Sequence, residues 1–199
     1  MAQTDSEMKI RILHAAKKLF SEQGFDGTSV RQICEEAGAN VALVSYYFGG
    51  KEKVFHAVFD YFFPGRRMQQ YEETLNQPVE GLRLIVKEII LFSMTDTELS
   101  GIIQQEMIRR SPRSDTIRAI TFPVWEKVRE LLEKGRREGV FRFESLDHTF
   151  MFIIGVALGH KKFPHFEPIM SVTESNPQWM ADHAVDFIFK ALEVKEQET

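Results

Sequence analysis

The chain has 199 residues, with 25 Lys and Arg against 29 Asp and Glu for a formal charge of −4, and 43% of it is apolar, with 17 Phe. That is enough apolar surface for one domain, or a small domain joined to a larger one, and it excludes a disordered tail. The single cysteine excludes an internal disulfide framework and a multi-cysteine metal site and fits a reducing compartment, while the overall charge gives no sign of nucleic-acid binding. The first eight residues are polar, with Asp5 and Glu7 ahead of any basic residue, so they do not read as an export signal. The longest apolar run, Phe150 to Leu158, is far short of the ~18 residues a membrane span needs. A soluble, cytoplasmic protein with no membrane partner is expected.

Helical periodicity runs from end to end. Ile10, Leu13, Ala16, Leu19 and Phe20 recur at spacings near three and four, with Lys9, Arg11, Lys17 and Lys18 on the other surface, which predicts a helix over Ser6–Gln23 ended by Gly24. Thr28 is the expected N-cap of a second helix carrying Val30, Ile33, Cys34 and Ala37 on one face, and Gly38 ends it. Asn40 caps a short third helix reaching about Tyr46, and Gly49–Gly50 break the chain before a fourth over Lys51–Phe62. Pro64 and Gly65 mark a junction, so the expected domains are 1–63 and 64–199. Charge does not separate them: the first 63 residues hold 7 Lys/Arg against 8 Asp/Glu. Further helices are predicted over Val79–Met94, Thr97–Arg110, Asp115–Glu138 with a bend or restart at Pro123, Leu146–Gly159 and Asn176–Val194. No stretch reads as a strand, so the fold class is all-α.

The sharpest signal lies between residues 28 and 48. Two short helices meet through Gly38-Ala39-Asn40, with Ile33, Ala37, Val44 and Tyr47 placed where such a pair touches itself. In helix-turn-helix geometry the second helix enters the major groove and the first lies across the backbone. Thr28 and Lys51 stand at helix N-termini, where free N–H groups and the dipole favour a phosphate, and the phenols of Tyr46 and Tyr47 lie beside them.

The run ILHAAKKLFSEQGFDGTSVRQICEEAGANVALVSYYFGGKEKVF resembles the DNA-binding domain of the TetR family of bacterial repressors. It carries Ala-x-x-Leu-Phe, Gly-Phe-x-x-Thr-Ser-Val, an Ala-Gly turn, a short helix ending Tyr-Tyr-Phe, and Lys-Glu opening the fourth helix. The resemblance covers about a quarter of the chain and implies an N-terminal three-helix DNA-binding domain joined to a larger helical domain for ligand binding and dimerisation. It implies that Thr28, Lys51 and Tyr46 meet phosphates, that Tyr47 packs partly inward, and that Asn40, Val41, Ala42, Leu43 and Ser45 lie on the recognition helix. Many relatives have Lys or Arg where Val41 stands. Base reading therefore falls either to contacts of Val41, Ala42 or Leu43 with thymine methyls, or to Asn40 with adenine.

A reading head this small works in pairs on a palindromic operator. Phe150, Ile154, Gly155 and Gly159, with Trp179, Phe187 and Ile188 of the last helix, are the expected homodimer contacts, forming a four-helix bundle across a two-fold axis. The resemblance also implies a small effector held among the middle helices that releases the DNA. Phe92, Met107, Phe122, Trp125, Phe152 and His160 are the expected lining, which favours an apolar or aromatic effector. Arg109, Arg110, Arg113 and Arg118 form a basic run, read either as a solvated helix end or as a carboxylate partner in the effector or across the dimer. His160, His165 and His183 have no metal-site spacing, so no metal or other cofactor is expected. No nucleophile elbow, His-Glu-x-x-His or Gly-rich phosphate loop is present, so an enzyme is not expected. The rival is a helical dimeric adaptor without sequence-specific DNA binding.

Overall fold

The computed structural model describes residues 2–171 and 176–194. Every regular element among them is helical: α1 (Ala2–Gly27), α2 (Val30–Ala37), α3 (Val41–Phe48), α4 (Lys51–Phe62), α5 (Glu72–Leu75), α6 (Pro78–Thr95), α7 (Thr97–Arg109), α8 (Ser114–Arg137), α9 (Leu146–Leu158), α10 (Phe163–Phe166) and α11 (Pro177–Ala191). The all-α expectation and most helix limits hold within a few residues. Short 3-10 turns over Pro64–Tyr71, Gly159–Lys162 and Glu167–Ile169 had no periodicity by which to be read. Among the described residues no helix is long and apolar enough to cross a membrane.

Packing divides the chain into two compact units, Met1–Pro64 with Asp96–Ile120, and Gly65–Thr95 with Thr121–Thr199. One division falls at Pro64–Gly65, and the first unit also takes in α7 and the opening turns of α8. α8 itself passes through Pro123 as one uninterrupted helix, without the restart expected there.

In the first unit α1 packs on α2, α4 and α7, and α3 packs on α2 and α4. The centre is aromatic: Phe20, Phe25 and Phe55 sit 5.4–5.5 Å apart ring to ring, and Phe59 stands 5.1 Å from Phe55. Each such pair contributes about 0.5–1.5 kcal/mol beyond simple area burial. Gly24 lets the chain turn off the α1 axis, with φ 74° and ψ 169° inside the helical run. An L side chain there is strained.

The N-cap of α2 is Ser29, not Thr28. Ser29 Oγ accepts from the Gln32 N–H, while Gln32 Oε1 accepts from the Ser29 N–H at 2.8 Å. This is a capping box, visible in the sequence as Ser-x-x-Gln. Ser29→Ala is therefore expected to destabilise the first unit by about 1 kcal/mol, read as a lowered urea midpoint at unchanged slope.

In the second unit α11 lies against α6 and α9, and α6 touches α9. Leu82, Ile85, Val86 and Ile90 meet Val128, Leu131 and Leu132 of α8, Ile153 and Ala157 of α9, and Ala181, Val185 and Ile188 of α11. At Gly135 a Cβ would stand 2.1 Å from the Phe141 ring, so the α8 backbone is the surface that seats this phenylalanine.

Candidate nucleic-acid interface

The turn between α2 and α3 is built from the backbone. Gly38 takes φ 61° and ψ 41°, and its N–H and that of Ala39 donate back to Glu35 O and Cys34 O. Arg11 lies across this turn, its Nη2 2.8 Å from where a Gly38 Cβ would be. Asn40 then caps α3, with Oδ1 accepting from the Ala42 N–H at 2.9 Å. Gly49, at φ 76°, closes the helix by donating to Ser45 O and Val44 O.

The eight residues of α3 divide cleanly. Val44 is fully buried, and Leu43, Tyr47 and Phe48 are half-buried. Val41 (48% exposed), Ala42, Ser45 and Tyr46 (79% exposed) face water. At about 100° per residue these four span an arc of roughly 140° on one side of the helix. The outward stripe carries no basic, amide or carboxylate side chain. Tyr46 meets Tyr47 edge to face at 5.2 Å, and Lys9 Nζ stands 5.1 Å from the centre of the Tyr47 ring.

Two residues expected to hold phosphates are placed otherwise. Thr28 is 2% exposed, and its hydroxyl donates to Gly24 O at 2.8 Å, with Leu19 O at 3.1 Å as a second acceptor for the same proton. It braces the kink, and the exposed hydroxyl at the start of α2 belongs to Ser29. Lys51 opens α4 as expected, but its ammonium donates to Thr28 O at 2.7 Å and Phe25 O at 2.9 Å and lies over the Phe25 ring. Of its three N–H donors, two are spent on these carbonyls.

The cations of α1 are not one solvated face. Lys17 Nζ reaches Asp96 at 3.0 Å and Glu98 at 3.3 Å, tying α1 to the start of α7. Lys18 pairs with Glu36 of α2 at 2.7 Å, and that hydrogen bond holds its ammonium above its ordinary pKa. Lys9 and Arg11 remain on the surface near α3, and Lys53 lies against Gly49.

Of the basic run, Arg109 and Arg110 are exposed and Arg118 pairs with the exposed Asp115 at 2.7 Å, as a solvated helix end does, whereas Arg113 is placed otherwise. Arg113 is nearly buried, with Nε 3.0 Å from Glu106, Nη2 3.3 Å from Asp26, Nη1 3.9 Å from Glu52 and the guanidinium 4.0 Å over Phe25. Its carboxylate partners belong to its own chain. Sequence spacing gave no signal for this cluster, because its members are far apart along the chain.

In the second unit the expected contacts sort differently. On α9 and α11, Gly155, Gly159, Trp179 and Phe187 (63% exposed) face water, and Ile154 is half-buried. Ile188 belongs to the core, and Phe150 turns inward against Trp125 at 6.1 Å. Met151 and Phe152 (71% exposed) join the exposed apolar face instead. Of the expected effector lining, Met107 falls in the first unit, and Phe122 and Phe152 are exposed. Phe92, Trp125 and His160 remain half-buried in the second. His160 Nε2 lies 3.0 Å from Ser93 Oγ, and burial, with the neighbouring Lys161, holds the imidazole below its ordinary pKa. A surface depression of about 250 Å³, bounded by Glu133, Arg136, Arg137, Phe143 and Leu146, includes none of these six residues.

Known proteins match this arrangement. Residues 12–58 fit the family model of bacterial regulatory proteins, tetR family. The chain is 27% identical over 188 residues to the HTH-type transcriptional repressor NicS of Pseudomonas putida, covering 91% of this chain and 89% of that one. It is 30% identical over 139 residues to the uncharacterized HTH-type transcriptional regulator YxaF of Bacillus subtilis, covering 64% and 72%. The solved structure of HlyIIR, a hemolysin II transcriptional regulator, superposes with a TM-score of 0.75 at 30% identity over 96% of this chain and 99% of that one. The chain belongs to the TetR family of bacterial regulatory proteins, DNA-binding, ligand-responsive regulators of transcription rather than enzymes.

Proposed function

We propose that the protein is a repressor that binds a palindromic operator as a homodimer and leaves it when a small apolar or aromatic effector binds. The observation that carries this reading is the outward stripe of α3: Val41, Ala42, Ser45 and Tyr46 stand clear of a domain that packs every other face of that helix. Similarity to NicS, named a repressor, supports the sign of regulation. The exposed apolar face of α9 and α11 supports the two-fold pairing, since contiguous exposed apolar surface on a globular protein marks an interaction site.

Phosphate contacts fall to Ser29, Tyr46, Lys9, Arg11, Lys53 and the remaining N–H of Lys51, with Thr28 as the buried brace behind them. The effector is held in the second unit around Phe92, Trp125 and His160. An effector releases DNA by favouring the state in which the two reading heads no longer match one duplex.

Selection of bound sequences from random duplex DNA tests this. An inverted repeat is expected, its half-sites centred one helical turn or a multiple apart, with affinity falling steeply as salt rises. Failure to enrich any sequence at low salt, by protein verified as folded, counts against the reading.

A further inference from the structure

Resting on the reading of α3 as the recognition helix, we infer that Val41 and Ala42 recognise thymine through its methyl group, and that the operator half-site carries thymine under the first turn of α3. The major groove presents each base by its donors, its acceptors and, for thymine alone, a C5-methyl. Strong hydrogen-bond readout of G, A or C needs Arg or Lys, Asn or Gln, and Asp or Glu respectively. The outward residues of α3 are Val41, Ala42, Ser45 and Tyr46, which include none of these.

Asn40 is the amide at the start of α3, and its capping role restricts it in adenine recognition. A bidentate contact with adenine uses the amide oxygen as well as the NH2. That oxygen is held by the Ala42 N–H at 2.9 Å, as the cap of the helix. Reading adenine in this way would have to share that oxygen with the cap, with the side chain fixed in its capping rotamer. Leu43, the third apolar residue of this turn, is half-buried towards the domain and offers less to the groove than Val41.

Recognition helices contact base edges mainly with their N-terminal residues. That places Val41 and Ala42 nearest the bases. The Ser45 hydroxyl bonds to any base and does not discriminate, and Tyr46, at the far end of the stripe, lies closer to the backbone. What the first turn can distinguish is a methyl from its absence.

Deoxyuridine in place of thymidine deletes that methyl and leaves the base pair and its groove acceptors intact. The operator obtained by selection is resynthesised with one such replacement at a time, symmetrically in both half-sites. Dissociation constants are read by fluorescence anisotropy at fixed salt. The expected result is that one or two positions per half-site lose about fourfold in affinity for each contacted methyl. Val41→Ala should abolish that sensitivity at one of them, and circular dichroism should show its helix content unchanged, because Val41 is a surface residue. A selected operator without thymine under α3, or an affinity that no deoxyuridine replacement changes twofold, overturns the inference while leaving the regulator reading standing. If no sequence is enriched at all, both fall together.

Discussion

Replacing Arg113 by methionine is expected to destabilise the first unit by about 3–5 kcal/mol, the cost of leaving a buried partner charge uncompensated. The partner is Glu106, 2% exposed on α7, whose carboxylate takes the Arg113 Nε–H at 3.0 Å and the Ser111 hydroxyl. Without the guanidinium, that hydroxyl is what remains to it among these donors. Asp26 and Glu52 add little in themselves, since both are mostly exposed and water screens such pairs. Their importance is geometric: through them Arg113 holds the segment after Gly24 and the start of α4, the two pieces that Lys51 also ties together. The double variant Arg113→Met/Glu106→Leu separates charge from packing. Exchange of a buried ion pair for apolar residues of similar volume is often close to neutral, so the double variant should recover most of the loss. Trp125 and Trp179 both lie in the second unit, so the transition must be followed by far-ultraviolet circular dichroism, which also reports the first. A single variant within 1 kcal/mol of the parent would mean that the pair contributes no more than a surface bridge.

How much of this was legible in the sequence depends on how local each signal is. Gly24, Gly38, Asn40 and Gly49 punctuate the N-terminal helices as expected, because a left-handed φ or a cap is a one-residue requirement. Val44 is buried and Tyr46 exposed, because one short helix packed on α2 and α4 has one inner side. The cap of α2 lies one position beyond the expected Thr28, at Ser29, which the Ser-x-x-Gln pattern marks. Lys51 was placed at the right helix end, but where its ammonium points depends on carbonyls more than twenty residues away. The Arg113 cluster joins α1, α4, α7 and the residue before α8, so no spacing in the chain announces it. α9 posed another difficulty. It is apolar on most sides, and periodicity fixes which residues share a face but not which face meets its own core. Phe150 and Phe152 were consequently exchanged: the first packs on Trp125 and the second stands exposed. Met107 was grouped with the effector lining by residue type, whereas α7 packs against α1 in the first unit.

The pairing face proposed on α9 and α11 offers the second large effect. Replacing Phe152 and Phe187 by glutamate is expected to convert the dimer to monomer, weakening self-association at least about a thousandfold. A two-fold interface uses the same patch from both copies, so two substitutions bring four carboxylates into it. Burying an unpaired carboxylate costs several kcal/mol, and each buried phenylalanine forgone removes about 1.5–3 kcal/mol of favourable burial. Together these exceed the roughly 4 kcal/mol that a thousandfold represents. Both side chains are exposed in the isolated chain, at 71% and 63%, so the monomer should keep its fold and its helical dichroism. Gly155 and Gly159 sharpen the test, since a Cβ at either would meet nothing within 4 Å of its own chain. Gly155→Leu therefore fits the monomer and obstructs only an approaching backbone. Sedimentation at micromolar concentration should give a dimer for the parent and a folded monomer for the Phe152→Glu/Phe187→Glu protein. Operator affinity should fall with it, because a single α3 retains one half-site and loses the effective concentration that the tethered second head supplies. A double variant that stays dimeric and binds DNA as before would move the two-fold axis off α9 and α11, and would require another partner for the aromatic surface exposed there.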